Sequence, residues 1–427
     1  MTRSGDTRAI NCTNCGAGLP VLGGGRVVTQ VCSYCGAQLD ANDAYKVLAV
    51  FAGMERPETP FALGQTGHLK GADWTIVGTI GMVERYKSRE WRWTDHQLYS
   101  PTHGYAWLTV EDGHLLFTRK VRDWPAGSWL TSAAVERSES PPSRNWRGRP
   151  YRYYATSDWV CDFVEGEFTY RPEKGDRGRT ISLMPFGNAH DMLAYVSSGQ
   201  RENEVEVTTY APEAAEAFGV EAPRPQGVHP LQPFEAKPGS RFYPLWFGGM
   251  AAAAFASIFV MLAMRGDYVD LGEGPLDALP IEAEFEVANA ARPVQLRLNT
   301  DSSNNWAAFE IAITGPDGTP VAETFREVDY YHGRSGGESW SEGSRRATLG
   351  FQPVAAGPHR VTVDLEELGR DQGTVSRIEV QMREGLTTIR WVLGAFVVFA
   401  IALAFTASAR LRHRMRRWAG SDWTEED

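Results

Sequence analysis

The chain has 427 residues, 42% of them hydrophobic, with a mean hydropathy of −0.34. That apolar content excludes a disordered chain, and 43 glycines with only 5 cysteines exclude collagen-like and disulfide-dense secreted classes. The length predicts two to three domains, and a net charge of −10 (43 − 53) argues against phosphate neutralisation by the chain as a whole. Of the 43 basic residues 37 are arginine and 6 lysine, which suggests a GC-rich bacterial genome.

The strongest local signal opens the chain. Cys12-Thr13-Asn14-Cys15-Gly16 and Cys32-Ser33-Tyr34-Cys35-Gly36 have the spacing C-x2-C-x16-C-x2-C, that of a four-thiolate zinc site. Two cysteine knuckles supply four sulfurs at about 2.3 Å to a tetrahedral ion. Residues 1–45 are therefore expected to form a zinc ribbon with Zn2+ as a structural cofactor on Cys12, Cys15, Cys32 and Cys35. Gly23-Gly24-Gly25 is placed as the turn between its strands. A redox dithiol is the alternative, although that chemistry uses a single C-x-x-C at a helix start. Four protein ligands leave no open position for catalysis. Arg26 is the only basic residue of Asn11–Ala41, so nucleic acid is not expected as a partner.

Residues 61–210 read as short strands: Trp74–Val83, Gln97–Tyr99, Tyr105–Val110, His114–Phe117 and Glu165–Tyr170. Turn residues separate them at Pro101–Gly104 and at Glu111-Asp112-Gly113. The pattern predicts a small antiparallel β-barrel or sandwich, or two sub-barrels. His68, His96, His103 and His114 fall within 47 residues but lack metal-ligand helical spacing, and are expected as loop or hydrogen-bonded histidines. Cys161 has no histidine nearby and reads as a buried small hydrophobe. Trp91 and Trp93 among Arg85, Lys87, Arg89 and Arg92 read as a solvated strand, with anion or membrane-surface binding as the alternative.

Gly64-Gln65-Thr66-Gly67-His68-Leu69-Lys70-Gly71, Trp74–Gly78, Tyr105-Ala106-Trp107-Leu108, Gly113-His114, Gly166-Glu167-Phe168 and Gly175-Asp176 together resemble the bacterial DUF4178 domain. The resemblance covers about 150 residues. It departs at Thr94-Asp95-His96-Gln97-Leu98, where the family tends to carry an acidic-aromatic pair. Longer members of that family share the ribbon and a two-span layout. The family has no known function. The resemblance implies association with phage-shock-type membrane-stress proteins, small membrane proteins and polyamine-synthesis enzymes as partners.

Within residues 211–244, Val220–Pro244 holds prolines at 223, 225, 230, 233, 238 and 244, and predicts a semi-rigid tether. Two uncharged apolar runs follow: Leu245–Met264 of 20 residues, and Trp391–Ala409 of 19 within a predicted span 389–409. At about 1.5 Å per residue each spans a bilayer core of about 30 Å, so two transmembrane helices are expected; buried helices of a soluble core are the alternative. Gly248, Gly249 and Ala251–Ala254 offer a small face for packing the spans together. Five arginines in Arg410–Arg417 begin the basic tail 410–427 and predict a cytoplasmic end. With two spans and no apolar leader in Met1–Asn11, both termini are expected in the cytoplasm of a bacterial inner membrane, with the lipid bilayer as a partner. All five cysteines precede the first span, consistent with a reducing compartment.

Residues 265–388, Arg265–Thr388, carry 11 basic and 21 acidic residues and read as an extracytoplasmic β-sandwich of six or seven strands. Gly333-Arg334-Ser335-Gly336-Gly337 matches G-x-S-x-G, but no helix follows it as a nucleophile elbow requires. Trp306, Tyr331, Glu338, Trp340 and Glu342 are candidates for a sugar or cation site, with ordered loop packing as the alternative. The reading is a mainly β, non-enzymatic membrane scaffold, sensor or assembly protein. The alternatives are an enzyme or small-molecule binder (polyamine or nucleotide) in 61–210, and a carbohydrate-binding module outside the membrane.

Overall fold

The computed structural model describes residues 8–424 apart from 52, 186, 188, 200–202, 265 and 386–388. Expectations placed on residues 1–7, Arg265, Thr388 and 425–427 fall outside it. The chain forms two compact units, residues 1–237 with 408–427, and residues 238–407.

The first unit begins with a two-stranded hairpin, β1 (Arg8–Asn11) and β2 (Gly18–Val21). Three short strands follow, β3 (Thr29–Val31), β4 (Ala37–Asp40) and β5 (Lys46–Val50). Then come β6 (Thr66–Leu69), β7 (Ala72–Tyr86), β8 (Arg89–Ser100), β9 (Gly104–Glu111) and β10 (His114–Lys120). The expected Asp112-Gly113 turn joins β9 to β10, and both residues take positive φ, +47° and +76°. A five-residue helix α1 (Ser132–Glu136), capped by Thr131, leads to β11 (Ser143–Trp146) and β12 (Arg149–Phe168). β13 (Arg177–Pro185), β14 (Asp191–Ser198), β15 (Glu204–Tyr210) and the one-turn helix α2 (Ala214–Ala217) complete the run.

Strands β7 to β10 and β12 to β15 close into an eight-stranded antiparallel barrel, because β10 pairs with β15 and β12 returns to β7. β12 is 20 residues long and bulges between Tyr153 and Ala155 and between Cys161 and Phe163. Those bulges let one strand serve several neighbours. Its far end, Gly166–Phe168, pairs with β3, so the second cysteine hairpin, β3-β4, shares one sheet with the barrel, while β1-β2 is a two-stranded sheet of its own. Three larger apolar clusters, and a small one around the cysteines, hold the unit. One gathers Trp74, Ile76, Leu98, Leu108 and Phe117 under α2, and another Tyr151, Tyr153, Ile181, Leu183 and Tyr195 beside α1. The third joins Ile80, Met82 and Val164 to Trp159 and Cys161.

The second unit opens with α3 (Tyr243–Ala263). Nine strands follow: β16 (Val269–Pro275), β17 (Ile281–Val287), β18 (Val294–Thr300), β19 (Asn305–Thr314), β20 (Pro320–Ser335), β21 (Glu338–Ser344), β22 (Arg346–Phe351), β23 (Gly357–Leu368) and β24 (Arg377–Glu384). They form two antiparallel sheets, in the orders β16-β24-β18-β22 and β17-β23-β19-β20-β21. Both sheets contribute to one core, Leu296, Leu298, Leu349 and Val380 from the first and Phe309, Ile311, Ile313 and Val363 from the second. β19 shows why. Ala307, Phe309, Ile311 and Ile313 are buried while Trp306, Ala308 and Glu310 point outward, the period-2 alternation of a strand with one covered face.

The last long helix, α4 (Ile389–Ala407), runs antiparallel to α3: Phe255 meets Phe396 at 5.5 Å between ring centroids, and Gly248 lies against Leu403. Ala251 and Ala254 are the buried residues of α3, so part of the expected small face does lie in the helix pair. Outward, Leu245 is 72% exposed and Ile401 64%. Both helices are long and apolar enough to cross a membrane, and almost none of either is buried. The chain then returns to the first unit as α5 (Ala409–Trp418).

Candidate metal centre

The four cysteines sit on two hairpins of the same design. Cys12 and Cys15 lie between β1 and β2, and Cys32 and Cys35 between β3 and β4. In the first, the Cys12 amide donates to Ala17 O at 2.8 Å and the Gly16 amide to Cys12 O at 2.8 Å. In the second, Cys32 donates to Ala37 O and Gly36 to Cys32 O, each at 2.9 Å. This turn needs a left-handed residue after the second cysteine, and Gly16 and Gly36 supply it at φ +79° and +69°.

The ligand sulfurs lie within 4.8 Å of one another. Cys12 Sγ is 3.8 Å from Cys35 Sγ, and Cys15 Sγ is 3.8 Å from Cys32 Sγ. A tetrahedral ion with sulfurs at about 2.3 Å would hold them about 3.8 Å apart. A disulfide needs about 2.05 Å, and all five cysteines are free thiols. The group can therefore hold a metal ion. Burial pushes the Cys32 thiol up to about 12. Burial also raises Cys35, but the hydrogen bond from Asn14 Nδ2, the Ala37 amide and the neighbouring sulfurs outweigh it and hold this thiol at about 7.

Gly23-Gly24-Gly25 is not a tight turn between paired strands, since β2 pairs with β1 and β3 with β4 and β12. Gly23 instead sits on the buried carboxylate of Glu167 on β12, which accepts from the Leu22 amide at 3.1 Å and from the Gly23 amide, while Gly24 lies against Tyr99. Sequence reading took Glu167 only as part of the Gly166-Glu167-Phe168 family motif and gave its carboxylate no partner. Thr29 Oγ1 to Tyr170 O (2.5 Å), Gln38 Nε2 to Pro172 O (2.7 Å) and Arg171 to Asp40 (2.8 Å) add to the join between hairpins and barrel.

The histidines of 61–210 are dispersed. His96 is fully buried between Thr59 Oγ1 (2.7 Å) and Thr79 Oγ1 (3.1 Å), and burial lowers it to about 3. His68 pairs with Asp73 at the surface, and His103 contacts Thr102. His114 bonds Tyr210 and Gln226 O, fixing the start of the proline-rich segment. Cys161 is buried, and burial pushes its thiol up to about 12. Arg85, Arg92, Glu90 and Asp162 form ion pairs around Trp91 and Trp93.

In the second unit the five candidate residues share the outer face of one sheet. Tyr331 pairs with Glu342, Gly333 with Trp340 and Ser335 with Glu338 across β20 and β21, and Trp306 pairs with Asp329 on the same face. Tyr331 donates to Asp371 at 2.7 Å, and Trp340 is half exposed over Gly333. Gly336 and Gly337 form the β20–β21 hairpin turn, so the G-x-S-x-G run is not a strand-to-helix elbow.

The tail is the second set of residues that sequence reading missed. Arg417 is buried and donates to Pro230 O at 2.5 Å and Ala189 O at 3.0 Å. Asp422 accepts from Tyr153 OH (2.6 Å) and from the Thr156 amide (2.9 Å) at the β12 bulge. Trp418 packs on Tyr154 and Trp423 on Tyr153. Two tryptophans in an apparently solvated basic tail were the available signal.

Residues 62–213 match one family model. Its description is a domain of unknown function (DUF4178), and the matched stretch contains the barrel strands β7 to β10 and β12 to β15. No curated protein matches the chain. Among solved structures, one titled "CBM4 structure and function" shows 11% identity, covers 27% of this chain and 69% of its own, and has a TM-score of 0.16. A carbohydrate-binding module CBM36 in complex with calcium and xylotriose shows 15% identity over 28% and 98%, also at 0.16. An exo-beta-1,3-galactanase from Phanerochaete chrysosporium shows 8% over 69% and 78%, at 0.14. Superpositions this loose establish neither a shared fold nor a shared function.

Proposed function

We propose that this chain is a membrane-anchored scaffold or sensor without catalytic activity of its own. A zinc ribbon and barrel face the cytoplasm, and α3 and α4 carry an extracytoplasmic β-sandwich. The observation that carries the reading is the return of the tail. Residues flanking the two apolar helices on both sides, up to 237 and from 408, belong to one compact unit. Two helices of 21 and 19 residues can each cross a bilayer core, and a pair of crossings returns the chain to the side it left. The five arginines of α5 favour the cytoplasm for that side.

Structural zinc on Cys12, Cys15, Cys32 and Cys35 is supported by the 3.8 Å sulfur spacing and the paired knuckles. A closed four-sulfur site and dispersed, hydrogen-bonded histidines support docking rather than turnover. Phage-shock-type or other small membrane proteins are the first candidate partners, on family resemblance. Crosslinking the full-length chain in its native membranes, against a form with all four zinc cysteines changed to serine, tests the docking role. Loss of a defined set of crosslinked proteins is expected. An unchanged set with the ribbon unfolded refutes it.

A second reading concerns the outer sheet face. Trp306, Tyr331, Glu338, Trp340 and Glu342 share it, which supports a sugar or cation site held outside the membrane. Glycan binding by the detergent-solubilised chain, lost in Trp340→Ala, is the corresponding test. No binding across a panel of bacterial surface glycans and organic cations refutes it.

A further inference from the structure

We propose that α5 lies on the surface of an anionic phospholipid bilayer, with Leu411 and Met415 inserted between headgroups. The proposal rests on the two-span reading above and adds a lipid-binding surface to it. α5 has a face already in use: His413 packs edge-on against Phe234 at 5.5 Å, and Arg417 is held by Pro230 O and Ala189 O. At 100° per residue the direction opposite His413 and Arg417 is occupied by Leu411 and Met415, one turn apart. They are 58% and 65% exposed. Arg414 flanks this apolar stripe on one side and Arg412 and Arg416 on the other, while Arg410, beyond Arg414, stacks over the Phe234 ring at 5.8 Å.

A narrow apolar stripe with arginines on both sides is the build of an interfacial helix. The arginines suit lipid phosphates, which they bind bidentately, and the ten residues contain no acidic group. Chain continuity supports a bilayer as the occupant, since α5 begins two residues after the last residue of the apolar helix α4. Each arginine near an anionic leaflet increases the bound population about fivefold. The inner face of α5 keeps its contacts with the barrel unit, so the same helix would hold that unit against the lipid.

The test uses the full-length chain in nanodiscs of phosphatidylcholine alone and of phosphatidylcholine with phosphatidylglycerol. Dilute peroxide oxidises Met415 to the sulfoxide, read by mass spectrometry with Met54 as internal reference. Oxidation should slow at least fivefold in the anionic discs, and high salt should remove most of the difference. Arg414→Gln with Arg416→Gln, both exposed, should abolish the lipid dependence, and unchanged oxidation of Met54 shows that the fold is kept. Equal Met415 oxidation in both discs overturns the proposal, as does protection that survives the double substitution. Alkaline carbonate extraction separates this from failure of the two-span reading. A chain that stays in the pellet but shows no lipid dependence has lost only the α5 proposal, and a chain that is extracted has lost both.

Discussion

Replacing Cys32 with serine should open the cysteine hairpins while the barrel stays folded. The apolar cluster around the sulfurs is small: Cys12, Leu19, Cys32, Ala37 and Leu39 are buried, with Ile10, Cys35, Tyr45 and Val47 packed beside them. Leu19 and Leu39, its two large aliphatic side chains, contribute about 1.5–3 kcal/mol each. A structural zinc contributes about 10–16 kcal/mol of apparent folding free energy. A zinc bound there would therefore outweigh the core of this segment. A loss of only about 4 kcal/mol on removing one ligand raises local opening roughly a thousandfold. Hydrogen exchange read by mass spectrometry should show that rise in peptides covering residues 12–40, with little change in β13 and β14. Elemental analysis should find one zinc per wild-type chain and far less in the variant. Slow exchange in residues 12–40 of a wild-type protein that binds no metal would refute the reasoning, as would an unchanged variant.

Gly24→Ala would place a Cβ 2.6 Å from Tyr99 Cζ, so the loop around Glu167 must shift. Overpacking of this kind costs about 1–3 kcal/mol, and calorimetry should show a lower Tm for the unit. His96, lowered to about 3 by burial, stays neutral in the fold while the unfolded chain protonates below about pH 6.5. Stability is therefore present above pH 6.5 and is lost as pH falls toward 3, at up to about 1.4 kcal/mol per pH unit from this one group. Denaturant titrations should show a shallower loss between pH 6 and 4 in His96→Asn; an equal slope in both proteins contradicts the assignment. Arg417→Ala leaves two carbonyls without their charged donor, a cost of about 2–4 kcal/mol. Limited proteolysis of the full-length chain should then cut within residues 409–424 well before the barrel, whereas in the wild type the tail is protected.

Where chemistry and periodicity coincide, sequence alone located the structure. The paired C-x-x-C-G runs define a local turn whose hydrogen bonds close within six residues, so Cys12, Cys15, Cys32 and Cys35 were legible without tertiary information. The strict alternation of β19 and the turn at Asp112-Gly113 are local in the same sense. The long-range decisions were not legible. Nothing in Cys161–Phe168 says that it will pair with β7 up to Gly166 and with β3 from Gly166 on, because that depends on a bulge after Cys161 and on the path of 20 residues. The glycines at 23–25 looked like a hairpin turn because the carboxylate that the Gly23 amide meets lies 144 residues away. Arg417 reads as one of five arginines in a solvated run. Only its carbonyl partners at 189 and 230 separate it from its neighbours.

The central claim is that both arms of the first unit lie on the cytoplasmic side and that the nine-stranded unit lies outside. A membrane-impermeant maleimide added to intact cells tests it directly, because all five native cysteines lie before α3. Two exposed positions, Ser341 on β21 and Ser128 before α1, are changed to cysteine one at a time in the full-length chain. The account predicts strong labelling of Ser341→Cys, and none of Ser128→Cys or of the wild type until the cells are opened. Labelling of Ser128→Cys on intact cells, with Ser341→Cys protected, would contradict it.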